Sequence, residues 1–167
     1  MPAQLKALML GPPPLTLAVA ESLTSGRLQA RIGAISGASE FFLGGITAYS
    51  LEAKVRHLGV DRSAAAAANG VSAAIAEQMA RGACTLFGAD IAAATTGYAE
   101  PSPDWKVETP FAWLALARRL PTGQFEVRAS RIDCPRSTRI EAQDRVADSA
   151  LKALLDLLSR IRSSSGG

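Results

Sequence analysis

A serine, a tyrosine and a lysine, Ser39, Tyr49 and Lys54, fall within the stretch Gly37 to Lys54, GASEFFLGGITAYSLEAK. A serine hydroxyl near a lysine amine, with backbone N–H groups for an oxyanion, suits attack on an amide. The demand on the lysine is steep. With an ordinary pKa near 10.4, roughly one molecule in 2,500 is neutral at pH 7. Lowering that pKa by about three units costs about 4 kcal/mol, which requires burial or a cationic neighbour; Arg56 is close in sequence.

The elements around these residues can be read from local pattern. Gly37-Ala38-Ser39 reads as a turn feeding a short helix, with Ser39 capping free amides. Phe41, Phe42 and Leu43 are expected to bury that turn, and Gly44-Gly45 to reverse the chain. Ile46 to Tyr49 is a short β-prone run, and Ser50 is placed to N-cap a helix carrying Glu52, Lys54, Arg56 and His57. Tyr49 then stands at the C-terminal end of a strand with Lys54 one turn into the next helix, the end where open α/β sheets bind ligands.

Upstream, Leu15 to Ala20 is an apolar run of the kind covered on both faces. It leads through Glu21-Ser22-Leu23-Thr24-Ser25-Gly26 into a helix with Leu28 and Ile32 inward, and a polar turn before a helix can bind anions. It lacks a Walker A lysine and is no dinucleotide fingerprint. Downstream, Asp61 opens an alanine-rich helix ended by Asn69-Gly70, and Ser72 caps a helix with Ile75, Met79 and Ala83 inward. Asp90 to Thr95 is a strand and Thr96 to Pro101 the loop at its end. Phe111 to Ala117 and Gln124 to Ile132 form an antiparallel pair. A long amphipathic helix runs from about 137 to 162. Residues 1–14 form a short helix and proline-rich lead-in, and 163–167 a frayed tail.

These motifs resemble the C-terminal domain of the competence/damage-inducible protein CinA. The chain is similar to that family in Ala20 to Gly26 (AESLTSG), Gly37 to Glu40 (GASE), Phe42 to Gly45 (FLGG), Ala48 to Lys54 (AYSLEAK) and Thr96 to Ala99 (TGYA). Stand-alone members are nicotinamide mononucleotide deamidases. The resemblance therefore implies an amidohydrolase that releases ammonia from a pyridine nucleotide, with no metal or organic cofactor. It implies Ser39 as nucleophile, Lys54 as its base and Tyr49 as a proton-relaying hydroxyl. Carried over residue by residue, the substrate pocket comprises Glu21, Ser22, Thr24, Gly26, Gly45, Thr96, Gly97, Ala99 and Glu100. The chain departs from the family at Leu23, Ser25, Ala38 and Leu51, and most at Glu100, which replaces a glycine; the glycines usual after Pro101 are missing. That departure supports an alternative, a paralogue acting as a nucleotide-binding or regulatory module without turnover.

Order and composition together predict a three-layer α/β/α sandwich, one domain over 1–167, with a mixed, mostly parallel sheet. With 48% hydrophobic and 20% charged residues the chain has globular composition. Its charge of +3 is spread out, which argues against a nucleic-acid surface. No apolar run spans a bilayer, so no membrane partner is expected. Cys84 and Cys134 lack metal spacing and fit a reducing cytoplasm. The single histidine, His57, excludes a multi-histidine metal site and reads as a rim residue. Trp105 is expected as a loop anchor and Trp113 as strand core. A homo-oligomer is expected, with the last helix and the Ala64–Ala68 helix as contact surfaces.

Overall fold

A computed structural model of the chain describes residues 2–164. Five strands form one sheet in the order β2-β1-β3-β4-β5. They are β1 (Leu17–Glu21), β2 (Phe42–Thr47), β3 (Ile91–Tyr98), β4 (Phe111–Arg119) and β5 (Phe125–Asp133). β1 pairs in parallel with both β2 and β3, and β4 is antiparallel to β3 and β5. The sheet is mixed, as the sequence predicts.

Helices cover both faces. On one lie α1 (Pro2–Leu10), α2 (Arg27–Gly33) and α6 (Arg139–Ser164); on the other lie α3 (Leu51–Leu58), α4 (Arg62–Ala67) and α5 (Ala73–Phe87). Strand alternation divides the core between them. Leu17, Val19, Ile91, Ala93 and Leu114 point to the first face, and Ala18, Ala20, Ala92, Ala94, Ala115 and Ala117 to the second. The alanine face lets helices lie close. A side chain at Gly82 of α5 would stand 2.1 Å from the Leu58 carbonyl of α3.

The helix starts follow their polar signals. Ser50, Asp61 and Ser72 accept the amides of Ala53, Ala64 and Ile75 and open α3, α4 and α5. Several expectations fail. Gly44 and Gly45 do not reverse the chain; they lie inside β2, opposite Ala18 and Val19. They are needed there because a Cβ would stand 2.7 Å from the Phe87 ring at Gly44 and 2.6 Å from Val19 at Gly45. Leu43 is exposed, unlike the buried Phe41. Thr96 to Tyr98 extend β3 instead of forming a loop, because β4 pairs along them. Ser163 and Ser164 belong to α6, while 165–167 lie outside the described residues.

Candidate active site

The C-terminal ends of β1, β2 and β3 open into a cleft of about 400 Å³. Lys54 is the group that distinguishes it. α3 turns the face that carries Lys54 and Leu58 toward the core, so the lysine is only 4% exposed. Its Nζ donates a 3.0 Å hydrogen bond to Ser22 Oγ, in the turn directly after β1. No ion pair to Lys54 occurs among the described residues. Burial without a counter-charge lowers the ammonium to a pKa of about 8. Arg56, the cationic neighbour in sequence, is exposed and is not the cause.

Gly70 closes over the amine. Its φ is +68°, and a Cβ there would approach Nζ to 3.2 Å. Thr96 Oγ1 holds that segment by a 2.6 Å bond to the Gly70 carbonyl. In the sequence Asn69-Gly70 reads only as a helix end; its role as a cover for the lysine is visible only in three dimensions.

The Ser22 turn is held from several directions. Buried Glu21 accepts the amides of Gly26, Leu28 and Gln29 at 3.1, 3.0 and 2.8 Å, tying the turn to the start of α2. Thr24 and Thr95 hydroxyls lie 2.7 Å apart, and Ser22 N donates to the Thr95 carbonyl at 2.9 Å. The N–H groups of Leu23 and Thr24 have no acceptor among the described residues. Leu23, which follows Ser22 directly, also lines the cleft.

The rim is charged. Arg139, at the start of α6, donates to Glu100 Oε1 at 2.7 Å and to the Tyr49 hydroxyl oxygen at 2.5 Å. Asn69 donates to the Tyr98 hydroxyl at 3.1 Å. No local motif in the sequence marks Arg139, which sits ninety residues from Tyr49.

The residues singled out in the sequence separate accordingly. Ser22, Tyr49, Lys54, Gly97, Ala99 and Glu100 line the cleft. Glu21, Thr24 and Thr96 are fully buried and act through the backbone they hold. Gly26 takes a left-handed φ of +92° before α2, Gly45 leaves room in β2 for Val19 and Gln29, and Gly97 permits the approach of Phe111 and Ala112. Ser39 is elsewhere. It lies inside the 3-10 turn Ala38–Glu40, exposed, where Gly37 takes the cap position with no side-chain bond. The six residues of β2 carry the chain from there to the cleft, a span of about 20 Å at ~3.3 Å per residue. Within one chain the structure does not bring Ser39 to Lys54.

His57 is exposed and faces a different groove, beside Asp61 and Arg81. Trp105 is 45% exposed and lies outside the hydrophobic clusters of the described residues, whereas Trp113 packs against the alanine-faced core. Among the described residues no cluster of three His, Cys, Asp or Glu could hold a metal, and no helix is long and apolar enough to cross a membrane.

Known proteins share this architecture. The family model of the CinA C-terminal domain matches residues 4–158. A CinA-like protein of Chlorobaculum tepidum is 41% identical over 144 residues, covering 84% of this chain and 33% of that relative. A putative competence-damage inducible protein of Moorella thermoacetica is 51% identical over 114 residues, covering 68% and 27%. The chain thus spans about a third of the length of the curated relatives it matches. A solved CinA superfamily protein from Klebsiella pneumoniae superposes with a TM-score of 0.81 at 30% identity, over 95% of this chain and 96% of that one. By the extent of these matches, the chain belongs to the CinA C-terminal domain family.

Proposed function

We propose that the chain is an amidohydrolase acting on the carboxamide of a pyridine nucleotide, of the nicotinamide mononucleotide deamidase type, with Ser22 and Lys54 as the reacting pair. One observation carries the reading: a buried lysine amine, without an ion pair among the described residues, hydrogen-bonded at 3.0 Å to a serine hydroxyl on the wall of a cleft. With a pKa of about 8, roughly a tenth of Lys54 is neutral at pH 7, against one in 2,500 for a free lysine.

Ser22 Oγ attacks the carboxamide carbon while Lys54 takes the hydroxyl proton. The oxygen that becomes negative is received by the N–H group of Leu23, the residue after Ser22 on the cleft wall. Lys54 returns the proton to the leaving nitrogen, the C–N bond breaks and ammonia departs. Water then cleaves the serine ester by the same path, giving the acid and free Ser22. Tyr49, Asn69 and Tyr98 line the binding space; Glu21 and Thr24 position the serine.

The test is ammonia release from nicotinamide mononucleotide by the purified chain, with Ser22→Ala as control. Release that the control abolishes supports the reading; release that survives in the control overturns the assignment of Ser22. A second reading, a nucleotide-binding module without turnover, is favoured by Glu100 at the cleft rim. It predicts a thermal shift with the nucleotide and no ammonia.

A further inference from the structure

We propose that Arg139 is the anion-recognising residue of the cleft and that Glu100 of the same chain occupies it in the absence of ligand, so that an incoming phosphate monoester must displace an internal carboxylate. The inference rests on the reading that this cleft receives a nucleotide, and it deepens that reading by assigning where the phosphate is met.

The guanidinium is a planar fork whose geometry matches carboxylate and phosphate oxygens alike. One of its nitrogens holds Glu100 Oε1 at 2.7 Å and another holds the Tyr49 hydroxyl at 2.5 Å. All three residues line the same cleft as Ser22 and Lys54. Glu100 is the one acidic side chain among the described residues that line it, so its departure leaves a wall with Arg139 and Lys54 as its charges.

The pair is also built to open. Both side chains are well exposed, and exposed ion pairs are weak because water and salt screen them. The backbone beyond Glu100 is fixed independently: Ser102 and Val107 exchange two 2.9 Å hydrogen bonds. Rotation of the glutamate therefore leaves the rest of that loop in place. A glutamate at this position acts as a competitor of modest strength, which lowers affinity for an anion without abolishing it.

The experiment is calorimetric titration of the full chain and two variants with nicotinamide mononucleotide, with nicotinamide riboside (the same molecule without phosphate), and with inorganic phosphate. Wild type is expected to prefer the mononucleotide. Glu100→Gln should tighten the mononucleotide about fivefold and leave the riboside within about twofold. Arg139→Gln should weaken the mononucleotide about tenfold or more and erase its advantage over the riboside. Inorganic phosphate should compete with the mononucleotide in Glu100→Gln more strongly than in wild type.

An unchanged preference in Arg139→Gln, parallel shifts of both ligands, or no binding of mononucleotide or phosphate to wild type and Glu100→Gln would each overturn the proposal. Binding is read directly, so its failure is separable from that of the hydrolytic reading. A chain that shows the expected pattern but releases no ammonia refutes the Ser22–Lys54 reaction alone. A chain that releases ammonia while indifferent to both variants refutes the anion site alone.

Discussion

Two serine-bearing turns stand at opposite ends of the sheet, and they differ in everything except the hydroxyl. The Ser22 turn follows β1, is clamped by Glu21 and Thr24, and presents its oxygen to the buried amine of Lys54. The Ser39 turn precedes β2, is open to water, and has the exposed Lys6–Glu40 ion pair beside it. Ser39 is nearer to Lys54 along the chain, yet a whole strand separates them. Ser22 is thirty-two residues away and in contact. A hydroxyl becomes a credible nucleophile through the base it touches and the rigidity of its turn, and distance along the chain measures neither.

The sharpest way to break this contrast is to silence each serine in turn. Ser22→Ala should reduce ammonia release at least about 10³-fold, and Ser39→Ala should leave it within about twofold. The opposite result in the same assay would show that the two turns have been assigned the wrong way round.

Lysine 54 gives the next largest effect. Lys54→Ala should cost about 10²- to 10⁴-fold in kcat. In the proposed reaction the neutral amine is the active form; with burial lowering its pKa to about 8, wild-type kcat should rise as pH climbs through about 8 and then level off. A profile flat from pH 6 to 10 would remove Lys54 as the base.

The clamps separate the turns energetically. Glu21→Gln takes a charged acceptor from three amides at the start of α2 and should destabilise the fold by about 2–3 kcal/mol in urea unfolding. Glu40→Gln, at the other turn, removes only an exposed ion pair and should give no measurable loss. Equal effects at the two positions would show that the Ser22 turn is not specially held.

The smallest effect concerns the burial of the amine. Holding Lys54 at about 8, against 10.5 when unfolded, disfavours the folded state by about 3 kcal/mol at neutral pH. After loss of its bond to Ser22, Lys54→Met should still stabilise the fold by about 1–2 kcal/mol at pH 7. The sign follows from proton binding: between pH 8 and 10.5 the unfolded chain holds the proton that the folded chain has released. The penalty is therefore full below pH 8 and fades as pH rises toward 10.5. The advantage of Lys54→Met should fade with it, as paired denaturation curves at pH 7 and 10 would reveal.

Much of this arrangement is legible in the order of residues. The caps at Ser50, Asp61 and Ser72 are local events between a side chain and an amide three positions on, so they can be read directly. The strand alternation that splits Leu17 and Val19 from Ala18 and Ala20 is equally local, and with it the layered class of the fold. Gly44-Gly45 misleads because its reason is remote: the space a side chain would need is taken by Phe87, Val19 and Gln29. Arg139 escapes notice for the same reason, since Tyr49 and Glu100 reach it from two other segments.

Residue types and short spacings thus specify which hydroxyls, amines and carboxylates are available, and which strands and helices carry them. Which of them meet is a property of the crossover connections. The parallel course of β1, β2 and β3 gathers their C-terminal ends, and the turns beyond those ends, at one edge of the sheet, leaving Ser39 at the other. α3 then turns Lys54 inward, because its partner on that helical face is Leu58. The burial that follows is what lowers the pKa of an ordinary lysine, and burial exists only once the chain has folded around it.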